Sequence, residues 1–128
     1  MVRILNLKRT ITNKMQINLI KAHGTQNYFF IIYNQKNNSK LQSKKIIKKI
    51  CNLNNNQRID GLLLLSNHDQ YDFKMDYYNN DGTWETMCAN GARCAALYMS
   101  KYHSKRNRLK FLAGDELHLA EILDDDYV

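Results

Sequence analysis

The sequence predicts an α+β domain in which a helix of small residues packs closely inside a sheet. Three observations carry that prediction. Several short segments run apolar or alternate in the manner of strands, "NYFFIIYN" and "DGLLLL" among them. One segment, from Asn90 to about Tyr102, is dominated by small and apolar residues, which suits close helix–sheet packing. The 128 residues are 44% apolar and 24% charged, enough for one domain with its own core and too hydrophobic for a disordered chain.

Taken in order, "MQINLIKAHG" begins with a short strand-like stretch, and "NYFFIIYN" is a strand of aromatic and β-branched residues. Ser39 is placed to cap a helix that runs through Cys51 and ends in the "NLNNN" breaker. "DGLLLL" reads as a buried strand. In "YDFKMDYY", Tyr71, Phe73, Met75 and Tyr77 alternate with Asp72, Lys74 and Asp76, the period of a half-buried strand. "NNDGT" is a turn by composition. The small-residue helix follows, and "RLKFLAG" and "ELHLAEIL" are the last two strands. The chain ends in "DDDYV" directly after a strand, so the sheet reads as unfinished.

Composition removes several classes of function. The longest apolar run is Leu62–Leu65, too short to span a bilayer, and "MVRILNLKRTITNKMQ" alternates apolar with polar and basic residues rather than forming a secretory h-region, so no membrane partner is expected. Three cysteines, Cys51, Cys88 and Cys94, form an odd set without metal-type spacing, which favours reduced thiols, a cytoplasmic location and no metal site. The net charge of +7 invites a nucleic-acid reading. Much of it, however, falls in "KRTITNK" and in "KLQSKKIIKKI", where Lys44, Lys45, Lys48 and Lys49 flank Ile46, Ile47 and Ile50. That is the solvated face of an amphipathic helix, and few aromatics stand among the lysines to stack on bases. No nucleic-acid partner is expected.

The chemistry concentrates in "DGTWETMCANGARCAALYMS", residues 81–100. If the helix begins near Asn90, Cys88 lies at its N-terminal edge. The unpaired N–H groups and the positive end of the helix dipole favour an anion there, a thiolate or a substrate carboxylate near Ala89, Asn90 and Gly91. A thiolate beside a carboxylate pocket suits proton abstraction at the carbon next to that carboxylate. A free cysteine is nevertheless more often a small core residue than a catalyst. On composition and spacing alone that reading stays in front.

The residues also carry a family likeness. "NNDGTWETMCANGARC" resembles the diaminopimelate epimerase signature, an Asn-x-Asp-Gly-Ser stretch leading into Met-Cys-Gly-Asn-Gly-x-Arg-Cys. "KAHGTQNYF" is similar to that family's opening Lys-Met-His-Gly-x-Gly-Asn-Asp-Phe, and the likeness runs from about Met15 to Glu121. It implies a cofactor-independent enzyme that interconverts LL- and meso-diaminopimelate in lysine and cell-wall biosynthesis, using two cysteines on opposite faces of the α-carbon. By the same likeness Cys88 is one of that catalytic pair, and Asn27 and Asn79 contact substrate. Ala89 and Asn90 then supply backbone amides to the α-carboxylate. Each position has a plainer reading, since Asn27 and Asn79 suit turns and Asn90 suits a helix cap. Four departures stand out: Ala89 in place of glycine, "QNY" at Gln26–Tyr28, "NQR" at Asn56–Arg58, and Thr86 where Glu or Gln is common.

The implied architecture is one half of a two-domain fold, a strongly curved mixed sheet of about six strands wrapped around the central helix, with the basic helix outside. Residues 1–14 are expected to be a flexible basic extension, with Met15 as the alternative start, and 15–128 the N-terminal domain. Cys94 follows Cys88 by six residues, about 9 Å of rise and roughly 240° of rotation on a helix. It cannot oppose Cys88 across one carbon atom and is expected in the core, as is Cys51. The second thiol must then come from a missing C-terminal domain or a partner chain, and the isolated chain is expected to be inactive. The open sheet edge is expected to favour association with a second copy. Two other readings remain: a different amino-acid racemase or isomerase of the same superfamily, and a non-catalytic binding module that keeps the fold.

Overall fold

The structure, a computed structural model, describes residues 2–12, 15–36, 38–53 and 58–124, with side chains outside 5–17. The described strands are β1 (Val2–Thr12), β2 (Met15–Gly24), β3 (Asn27–Tyr33), β4 (Gly61–Ser66), β5 (Phe73–Asn79), β6 (Trp84–Glu85), β7 (Arg108–Ala113) and β8 (Glu116–Glu121). They form one mixed sheet in the order β1-β2-β3-β4-β5-β7-β8, with β6 paired to the far end of β5. The β3–β4 and β5–β7 pairs are parallel and the others antiparallel. Helix α1 (Lys44–Cys51) and helix α2 (Ala89–Met99) complete the α+β fold.

Strand periodicity explains why both faces of the sheet are apolar. Phe29, Ile31, Leu63 and Leu65 point to one core, and Phe30, Ile32, Leu62 and Leu64 to the other. The first core encloses α2, whose Ala92, Cys94, Ala95 and Ala96 are small enough to let the helix settle among β1 to β5. The second is closed by α1, where Ile47 and Ile50 are fully buried and the lysines remain outside. A central strand covered on both faces needs the continuous run "LLLL" rather than alternation. Burial of each such side chain contributes about 1.5–3 kcal/mol. On β5 only one face is fully buried, and Phe73, Met75 and Tyr77 are the residues that turn inward.

Three expectations need correction. Val2–Thr12, expected to lie ahead of the domain, forms edge strand β1, in antiparallel register with β2 from Val2↔Gly24 to Thr12↔Met15. Its alternation of apolar with polar residues satisfies a strand as well as a tail, and Val2 is buried. The helix expected from Ser39 to Cys51 is broken. Ser39–Gln42 forms a 3-10 turn capped by the Asn38 side chain, and Ser43, extended at φ −69° and ψ 127°, separates it from α1. Finally, eight strands are described where about six were expected, the additional ones being β1 and the two-residue β6.

The small-residue helix begins one residue earlier than Asn90, at Ala89, and passes into a wider π-type turn over Ser100–Ser104. It stops at Lys105, which adopts the left-handed conformation at φ 60°. Among the described residues no helix is long and apolar enough to cross a membrane.

Candidate active site

Cys88 is the N-cap of α2, in extended conformation at φ −135° and ψ 115°, and its carbonyl accepts the first helical bond from Ala92 N at 2.8 Å. Cys88 is half-buried, whereas Cys51 is 4% and Cys94 0% exposed. Burial pushes both of those thiols up to about 12. Cys88 is therefore the accessible sulfur of the three, and the core positions expected for Cys51 and Cys94 are the ones observed.

Two packing features frame the segment that carries Cys88. The β7–β8 hairpin turns through Gly114 (φ 56°) and Asp115 (φ 65°), both left-handed. Only a glycine fits at 114, because a Cβ there would lie 2.5 Å from the carbonyl oxygen of Thr86, two residues before the cysteine. The buried ring of Tyr77 belongs to the same core against which Cys88 packs. Burial first, then the neighbouring negative charges of Cys88 and Asp60, raise that phenol to about 12.

Asn27 and Asn90, far apart in sequence, meet directly: Asn90 Nδ2 donates to Asn27 Oδ1 at 2.6 Å. Asn27 Nδ2 donates in turn to Asp60 Oδ2 at 3.2 Å, and Arg93 donates to Asn90 Oδ1 at 3.1 Å. Asp60 Oδ2 also accepts the backbone N–H of Tyr28 at 2.9 Å, and Arg58 pairs with Oδ1 at 3.4 Å. Asn79 stands at the same end of the sheet, since Gly61 is the register partner of both Phe29 and Asn79. Its amide is held by Thr83 Oγ1 at 3.1 Å and Glu85 Oε1 at 3.2 Å, which closes the β5–β6 hairpin. Ala89 is exposed in the first turn of α2. Beside it opens a concavity of about 240 Å³ lined by Met87, Ala89, Ala92, Arg93, Phe111 and His118. A larger one, about 1200 Å³, lies at the opposite end of α2 around Met99 and His103 and touches none of the predicted site residues.

The structure thus brings Cys88, Ala89, Asn90 and Asn27 together and sets Asn79 nearby. Sequence reasoning missed Asp60, Tyr77 and Arg93. Arg93 lay within the quoted motif and Asp60 beside the leucine run, but only the fold shows what they bond. Of the "NQR" departure, Asn56 and Gln57 lie outside the described residues.

The fold belongs to a known class. A phenazine biosynthesis protein of the PhzF family from Bacillus anthracis superposes with a TM-score of 0.60 at 12% identity, covering 94% of this chain and 36% of that one. A similar protein from Clostridium difficile gives 0.60 at 9% identity, covering 94% and 40%. At such identities the likeness is one of fold.

Sequence narrows the class. The family model for diaminopimelate epimerase matches residues 19–127, and the chain belongs to that family. A diaminopimelate epimerase of Flavobacterium psychrophilum is 40% identical over 110 residues, 86% of this chain and 43% of the relative. One from Campylobacter lari is 35% identical over 99 residues, 77% and 39% of the two chains. The chain therefore spans about two fifths of the length of the curated relatives it matches.

Proposed function

We propose that the chain supplies one half of the active site of a cytoplasmic diaminopimelate epimerase. The observation that carries this reading is Cys88: an accessible thiol at the start of α2, flanked by Asn27 and Asn90. The positive end of the helix favours an anion at that point. In the reaction, the substrate α-carboxylate takes the backbone N–H groups of Ala89 and Asn90. Asn27 and Asn79 bind the rest of the amino acid. Cys88 as thiolate removes the α-proton, or as thiol returns one, while a second thiol acts from the opposite face.

The second thiol comes from outside these residues, because Cys51 and Cys94 are sealed in the two cores. Relatives about twice as long fit a second domain, or a partner chain, as its source. One thiol alone leaves reprotonation from the other face unsupported, so the 128-residue chain is inactive by itself. A different amino-acid substrate is the second reading. Ala89 favours it, because its methyl group stands where the signature this sequence resembles has glycine and narrows the approach to the helix N–H groups.

The test is α-proton exchange and epimerisation of LL-diaminopimelate in deuterated buffer. The isolated chain is expected to give neither. Addition of the second half of the Flavobacterium psychrophilum relative is expected to restore both, and Cys88→Ala to abolish them. Turnover by the isolated chain, or turnover that survives Cys88→Ala, overturns the proposal.

A further inference from the structure

Asn27 and Asn90 are primary amides, and an amide can face its partners either way round. Here the orientation is dictated from both ends. An ionised carboxylate can only accept, so Asp60 requires the NH₂ group of Asn27, whose Nδ2 lies 3.2 Å from Oδ2. That turns Asn27 Oδ1 toward Asn90, which must answer with its own NH₂ group at 2.6 Å. Asn90 Oδ1 is then left for a donor. Arg93, which can only donate, fills that place at 3.1 Å. The four residues form a one-way relay from the guanidinium on α2, through the first residue of β3, to the carboxylate just before β4.

We propose that Asp60 and Arg93 are paired positioning residues that lock the amides of Asn27 and Asn90 in a single orientation beside Cys88. Asp60 is itself held, by the backbone N–H of Tyr28 at 2.9 Å and by Arg58 at 3.4 Å. The acceptor end of the relay is therefore a fixed charge on the sheet, and the donor end rides on the helix that carries the thiol. Each bond in such a chain polarises the next, so loss of either end loosens both amides. Both amide oxygens are engaged and one N–H of each amide is spent. What the pair has left is its second N–H groups, donors suited to an anionic ligand group. This last consequence rests on the proposed function, whereas the relay itself does not.

Side-chain amide NMR of the ¹⁵N-labelled 128-residue chain tests it. In the wild type the Asn27 and Asn90 amide protons are expected to exchange slowly with water. Asp60→Ala is expected to raise the exchange rate of Asn90 by about tenfold although residue 60 does not touch it, the effect of losing one charge-assisted hydrogen bond. Arg93→Gln, at an exposed position, is expected to raise the exchange rate of Asn27, because glutamine can accept as well as donate and no longer fixes the Asn90 amide. Arg93→Lys, donor-only like arginine, is expected to restore the wild-type signals.

If each substitution alters only the asparagine it contacts, the relay is overturned. Should Asp60→Ala fail to fold, the two Arg93 variants decide the matter alone. No substrate is used, so failure of the epimerase reading would leave these signals unchanged. Independent amides, in turn, would leave that reading standing.

Discussion

Gly91 lies against the thiol of Cys88: a Cβ on Gly91 would stand 3.6 Å from Sγ and 2.8 Å from the buried Leu63 Cδ2. The glycine lets the first turn of α2 sit down on the sheet beside Cys88, which is only half-buried. The other two thiols have no such exposure, and burial holds both near 12. At about pH 7.5 iodoacetamide is expected to label Cys88 at least about a hundredfold faster than Cys51 or Cys94, since the thiolate is the nucleophile. Mass-spectrometric mapping of the labelled sites checks this. Equal labelling of all three in the folded chain would count against the assigned burial, whereas labelling of all three in urea is the expected control.

Gly61 makes a second close approach. A Cβ there would lie 2.3 Å from the carbonyl oxygen of Tyr78 and 2.6 Å from the ring of Tyr77. Backbone cannot swing aside as a side-chain tip can, and Tyr77 is wedged edge-on against Phe29, with ring centroids 6.1 Å apart. Gly61→Ala is expected to destabilise the chain by about 3 kcal/mol through overpacking. A urea titration that shows less than about 1 kcal/mol of loss would contradict this packing.

Much of the fold was legible because its segments obey local periodicities. Alternation exposed β5, the unbroken leucines exposed β4, and the run of alanines exposed the buried face of α2. The elements that were misread lack such a signature. β1 looks like a charged tail until its ladder with β2 is seen, and β6 is two residues held by pairing with Tyr77 and Tyr78. Ser43 breaks the basic helix by its backbone conformation, which serine does not announce. In the candidate site, the place of Cys88 at the head of α2 was legible from its motif. Asp60 and Arg93 were not, because the Asn90–Asn27 bond that joins them links positions 63 residues apart.

The β2–β3 hairpin turns through Thr25 and Gln26, at φ 50° and φ 70°. The corresponding position in the family's opening motif, as quoted above, is a glycine at residue 26. A side chain in the left-handed region costs about 1–2 kcal/mol, of which glycine recovers most and forfeits part to chain entropy. Gln26→Gly is expected to stabilise the chain by about 1 kcal/mol, read as a higher urea midpoint at unchanged slope. A lower midpoint would show that the Gln26 side chain contributes more than its backbone strain takes away.

His103 gives the chain an acid-sensitive element far from Cys88. Although it is exposed overall, its ring stands edge-on to Tyr33 with centroids 4.5 Å apart, and Nε2 lies 2.9 Å from the Tyr98 hydroxyl. That partial loss of water, and secondarily the charge of Lys105, hold the imidazole below its ordinary value of 6.5. The folded chain thus binds this proton more weakly than the unfolded chain, and protonation favours unfolding. The stability that neutral His103 supports is complete above 6.5 and is lost as pH falls through the lower folded value. His103→Gln retains a partner for the Tyr98 hydroxyl but has no proton to gain. Comparison of urea midpoints at about pH 7.5 and about pH 5.5 is expected to show a smaller decline in the variant than in the wild type. Identical declines would place the acid sensitivity on other groups.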